Sequence, residues 1–171
     1  MNKLTLYLFV GAPGAGKTTV AKLIHDATGA EHLWADHERQ AMFDRVTHSK
    51  QESERLYTNL NQRTHDLLAA GKSVIFDTNF NYNKDRQHVR SIADSHGAQT
   101  VVIWMQTPLV VARQRALHPD HHQRNNHDQP MKREEFNRLV DHLEPPTDNE
   151  NFITIDGTNI DTEAVKRQLD I

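Results

Sequence analysis

Gly11-Ala12-Pro13-Gly14-Ala15-Gly16-Lys17-Thr18 follows the strand-forming run Leu4–Val10 and leads into a segment, Lys17 to about Ala27, where Val20, Leu23 and Ile24 recur at helical spacing. Strand, glycine-rich turn and helix in that order complete the G-x-x-x-x-G-K-[ST] pattern of a phosphate-binding P-loop. Glycines at 11, 14 and 16 let the backbone aim several N–H groups at one point, and the helix adds its positive end. Such a loop is expected to hold the β- and γ-phosphates of ATP. Lys17 supplies a point charge, Thr18 a hydroxyl ligand for Mg²⁺, and Thr19 a contact for the α-phosphate.

Further apolar runs at Leu33–Ala35, Val74–Phe76, Val101–Met105 and Phe152–Ile155 are short and separated by helix-like stretches. The helical stretches are Gln51 to Ala70, Lys84 to His96, about Pro108 to Leu117, one carrying Phe136, Leu139, Val140 and Leu143 that stops before Pro145-Pro146, and a last one capped by Asp161. This alternation predicts an α/β fold with a parallel five-stranded sheet flanked by helices, like nucleoside-monophosphate kinases. At 171 residues the chain is expected to form one domain.

Ser73-Val74-Ile75-Phe76-Asp77 is an apolar strand ending in a carboxylate. In a parallel sheet the ligand crevice lies beyond the carboxyl ends of the strands, so Asp77 would support Mg²⁺ directly or through water, or else cap the next turn. A GTPase is excluded: Asp77 is followed by Thr78-Asn79-Phe80 where Asp-x-x-Gly is needed, and Asn83-Lys84-Asp85-Arg86 sets its aspartate one place early for guanine.

Asp36-His37-Glu38-Arg39 comes about twenty residues after the P-loop, and Asp77-Thr78-Asn79-Phe80-Asn81 follows the second motif. With the P-loop, and with Arg86 after them, these segments resemble the kinase domain of phage-type polynucleotide 5′-hydroxyl kinases, which share their fold with zeta-type toxins and gluconate kinases. The resemblance spans roughly residues 4 to 117. It implies that Asp36 accepts the proton of the attacking hydroxyl, that Arg39 holds a phosphate of the acceptor, and that Asp77 supports this pair or the metal. Arg115 falls at the first arginine of the family's lid. The second is expected at Pro119, so Arg113 or Arg124 substitutes or the transition-state clamp is weaker. The family's phosphatase domain is absent from this sequence. Read from the residues alone, Asp36 is a base in in-line transfer or an N-cap for Glu38–Phe43.

The expected activity is transfer of the ATP γ-phosphoryl group to a hydroxyl, of a 5′-OH nucleic acid or nucleotide or of a sugar or antibiotic. The alternative is a regulator that binds ATP without transfer. The net charge of −3 excludes attachment to nucleic acid by bulk charge, although residues 113–133 carry five basic against two acidic residues and form the expected lid. The lid includes His118, His121, His122 and His127, which lack zinc-site spacing. Trp34, Phe80 and Tyr82 are expected either to stack an acceptor base or to pack. No run approaches the roughly 20 apolar residues of a membrane span, and the absence of cysteine suits a reducing cytoplasm.

Overall fold

All six residues of β1 (Thr5–Val10) are buried, because this strand lies at the centre of the sheet with helices over both faces. The computed structural model describes residues 3–118, 120 and 130–171. Among them, five strands form one parallel sheet in the order β2-β3-β1-β4-β5, with β2 at Glu31–Trp34, β3 at Val74–Asp77, β4 at Gln99–Met105 and β5 at Phe152–Ile155. Parallel pairing requires long crossovers. These carry α1 (Lys17–Thr28), α2 (Ala35–Met42), α3 (Lys50–Ala69), α4 (Asn83–Ser95), α5 (Leu109–Ala116) and α6 (Arg133–Asp141), and α7 (Thr162–Leu169) closes the chain.

Alternate residues of β1 feed two cores. Leu6, Leu8 and Val10 pack with Leu56, Leu60 and Leu68 of α3 and Val89 and Ala93 of α4. Tyr7 and Phe9 pack on the other face with Val20 and Ile24 of α1 and Val165 of α7. The helix ends obey local chemistry. Ser49 accepts from the Glu52 N–H at the start of α3, and Asp161 accepts from Glu163 and Ala164 at the start of α7. Gly29 ends α1 with φ 71°, a left-handed cap that only glycine adopts without cost.

Two boundaries differ from the sequence expectation. Strand β2 stops at Trp34 and α2 begins at Ala35, so Asp36 stands in the first turn of a helix instead of capping one. Helix α6 stops at Asp141 and leaves Leu143 in the turn that follows, bonded to the Val140 carbonyl, 3.1 Å. About half of the expected lid, including Arg124, His121, His122 and His127, lies outside the described residues. Among those described, no helix is long and apolar enough to cross a membrane.

Candidate functional site

The P-loop is shaped by what presses on it. A side chain at Gly14 (φ 76°) would run into the Ala112 carbonyl of α5. Helix α5 therefore lies directly against the loop, and only glycine fits between them. Asn81 anchors the loop at its start by accepting from the Gly11 N–H, 3.3 Å, while Phe80 N–H donates to the Phe9 carbonyl, 2.9 Å. The Asn79–Asn81 segment thus braces the phosphate loop through Asn81.

On the other side Thr107 forms a clasp. Its hydroxyl donates to the Ala15 carbonyl, 2.7 Å, and accepts from the Gly157 N–H, 3.1 Å. A Cβ on Gly157 would collide with Ala15 and Thr107, so the loop after β5 sits tight on the P-loop. Arg115 of α5 donates to the carbonyls of Gly157 (2.6 Å) and Thr158 (3.0 Å) and holds the same loop from outside.

These elements enclose a cleft of about 670 Å³. Pro13, Gly14, Gly16, Lys17, Thr18 and Thr19 line its phosphate end, Asp36 and Asn79 its inner wall, and Arg115 and residues 157–160 its far side. Helix α1 has no side-chain N-cap and no acidic residue in its first turn, which suits its positive end to an anion. The Lys17 ammonium donates to the carbonyls of Gly11 (2.9 Å) and Ala12 (2.7 Å). Burial lowers its pKa to about 8, against the opposing pull of the Asp77 and Asp36 carboxylates.

Asp77 ends β3 with only 4% of its surface exposed, and His32 of β2 meets its carboxylate at 3.0 Å. Among the described residues no group of three or more His, Asp or Glu could hold a metal ion. Thr18 lines the cleft, whereas Asp77 stands outside its lining residues.

Arg39 has a different occupation from the one the resemblance implies. It is 8% exposed and donates to Glu52, 2.6 Å, and to Ser53, 3.3 Å, tying α2 to α3. Burial opposes ionisation of Glu52, but the Thr47 N–H, the Arg39 guanidinium and the Thr47 hydroxyl overcome it and bring its pKa to about 2. Arg39 is a residue that positions α2, which carries Asp36. Arg113 likewise lies over the Phe136 ring, 5.5 Å away. Phe80 is core, edge-on to Phe76, whereas Tyr82 stays exposed. Trp34 stacks between His32 and His37, with Lys22 over its ring.

Residues 157–160 were not anticipated. The signal was present as Asp156-Gly157, a turn dipeptide at the carboxyl end of β5, where a parallel sheet places its ligand crevice.

Comparison with known proteins matches residues 6–146 to the family described as AAA domain. Among solved structures, a protein of Chloroflexus aurantiacus assigned as a kinase superposes with TM-score 0.79 at 18% identity, over 99% of this chain and 98% of its own. Kti12 of Chaetomium thermophilum, determined with ADP-AlF3, gives 0.72 at 19% identity, over 95% and 94%. A gluconokinase of Sinorhizobium meliloti gives 0.62 at 17% identity, over 97% and 88%. At these identities the likeness is one of fold. No curated protein sequence matches the chain.

Proposed function

The chain belongs to the AAA domain family, and from that membership and the cleft described above we propose that it is an ATP-dependent kinase transferring the γ-phosphoryl group to a hydroxyl. The observation that carries this reading is the sharing of one cleft by Lys17, Thr18 and Thr19 with Asp36. A nucleotide site needs only the first three. A carboxylate facing them adds what in-line transfer requires.

In this reading ATP lies with its β- and γ-phosphates in the P-loop of residues 11–18, held by the backbone N–H groups that the loop does not use internally and by Lys17. Thr18 and Asp77 would hold Mg²⁺, which neutralises developing phosphate charge when bound. Asp36 takes the proton of the acceptor hydroxyl as its oxygen bonds to the γ-phosphorus and the bond to the β–γ bridging oxygen breaks, releasing ADP. Arg115, freed from Gly157 and Thr158, is the described lid arginine that lines the cleft and would reach the transferring group. Arg39 keeps α2 in place and is not assigned to the acceptor.

The pKa of Lys17 gives a pH-dependence. Phosphate oxygens favour the ammonium, so binding raises the pKa from about 8 and takes up a proton wherever the free protein has lost it. Affinity for Mg-ATP is expected to be level below about pH 8 and to fall by up to about tenfold per unit above it. Titration calorimetry in buffers of different ionisation heat should find little proton uptake at about pH 7 and close to one proton at about pH 9. Equal uptake at both would remove Lys17 from the phosphate site. Transfer itself is tested with γ-labelled ATP and separate 5′-OH oligonucleotides, nucleosides, sugars and aminoglycosides. Label on one class names the acceptor, and label on none, in protein that binds ATP, leaves a non-transferring regulator.

A further inference from the structure

We infer that the acceptor is an uncharged polyhydroxylated molecule of sugar or nucleoside size, seated in a second pocket between α3, α4 and the tip of β3, and not a phosphate-bearing strand. This inference rests on the kinase reading. The pocket holds about 460 Å³ and shares Asn79 with the nucleotide cleft. Tyr57, in its wall, feels the Asp36 carboxylate, which lines the cleft on the other side. At Asn79 a guest in this pocket adjoins the cleft that Asp36 lines.

The chemistry of the pocket fits a neutral guest. Phe80 and Val89 give it an apolar floor, and the exposed Tyr82 ring forms one wall. The Tyr57 and Thr78 hydroxyls lie 2.9 Å apart, so one donates to the other and both keep capacity for a guest hydroxyl. Burial raises the Tyr57 pKa, which keeps it a neutral donor. The amides of Asn61 and Asn79 add further donors and acceptors. Apolar surface with a few convergent neutral polar groups is the make-up of a small-molecule site.

Charge argues against a phosphate here. The ionisable lining beyond Tyr57 and Tyr82 comprises Lys50, Glu54, Asp85 and His88, one lysine against two carboxylates. Lys50 already pairs with Glu54, 3.8 Å. Of the neighbouring cations, Arg39 pairs with Glu52, Arg55 lies over Phe43 and Arg86 pairs with Glu150, while Lys84 lies over the Tyr82 ring at the pocket's edge. Phosphate recognition needs a charge-assisted donor, and in this lining only Lys50 carries a fixed positive charge, outnumbered by two carboxylates.

The test is transfer from γ-labelled ATP by the intact protein to matched pairs: nucleosides against their 3′-monophosphates, and free pentoses and hexoses against their 1-phosphates. The uncharged member of the labelled pair is expected to have a kcat/KM at least about tenfold higher. Asp85→Lys should narrow or reverse that ratio through KM, with ATP affinity reporting that the variant is folded. A phosphorylated member preferred by the wild type, or a ratio that Asp85→Lys leaves unchanged, overturns the inference and leaves transfer standing. No label on any pair overturns this inference, and the transfer reading falls with it only if 5′-OH oligonucleotides and aminoglycosides also stay unlabelled in protein that binds ATP.

Discussion

Replacing Asp36 by Asn is expected to slow phosphoryl transfer by roughly 10²–10⁴-fold, the usual contribution of a general base, while ATP affinity changes by no more than a few fold. Asn keeps the size of the side chain and can still accept a hydrogen bond, but it cannot take a proton. Position 36 lies in the first turn of α2 and lines the cleft with Lys17 and Thr18. The P-loop contacts are built from other residues and persist in the variant. The measurement is steady-state transfer beside direct ATP binding, for wild type and variant, with whichever acceptor takes label. Transfer at the wild-type rate would withdraw the base from Asp36. A parallel loss of ATP affinity would move Asp36 to the metal and phosphate side.

Arg86→Ala is expected to cost about 3–5 kcal/mol of stability, the range for removing one partner of a buried ion pair. That is a large part of the roughly 5–15 kcal/mol that holds a typical domain together. Arg86 is 0% exposed, and all five of its N–H groups are used. They reach Glu150 twice, at 2.7 and 2.9 Å, and the carbonyls of Phe80 (2.8 Å), Glu144 (3.1 Å) and Pro145 (3.4 Å). The substitution takes away the two closest partners of the Glu150 carboxylate, leaving it Arg90, Asn83 and the Thr147 N–H, and removes the donor to the Phe80 carbonyl in the segment that braces the P-loop. Denaturant unfolding gives the loss directly. In the double variant Arg86→Met, Glu150→Leu no lone charge remains, and part of the stability should return. Burial opposes ionisation of Glu150, but Arg86 and the Thr147 N–H hold its pKa below the usual 4.5. The depressed value means that this contribution is present above about pH 4.5 and drains away as pH falls through the folded pKa. The double variant should lose that acid dependence. If Arg86→Ala unfolds like the wild type, the guanidinium is not a staple.

Arg86 also shows where sequence reading reached its limit. The P-loop, the strand ending at Asp77 and the five-stranded sheet were legible because each is written in contiguous residues whose period or spacing has a direct steric meaning. Arg86 stood out only by its place after Asn81. That it is a buried staple depends on Glu150, 64 positions away in sequence, and nothing local announces such a pair. Arg39 is a similar case: the resemblance implies an acceptor contact, and the pairing of its guanidinium with Glu52, on the next helix, is not written in the residues around it. The clasp of Thr107 on Ala15 and Gly157 joins three strand-end loops. It could be guessed from topology but not from any one segment.

The central place of β1 has a consequence for how the protein is made. Its neighbours are β3, ending at Asp77, and β4, ending at Met105, so during synthesis the strand waits for more than sixty further residues before one side can be paired and for more than ninety before both can. At about 5–20 residues per second that wait lasts several seconds, long compared with the microsecond closure of a local hairpin. Through this interval an apolar strand and the glycine loop behind it have no sheet to join. The segment that would grip phosphate thus leaves the ribosome well before the strands and loops that hold it in shape.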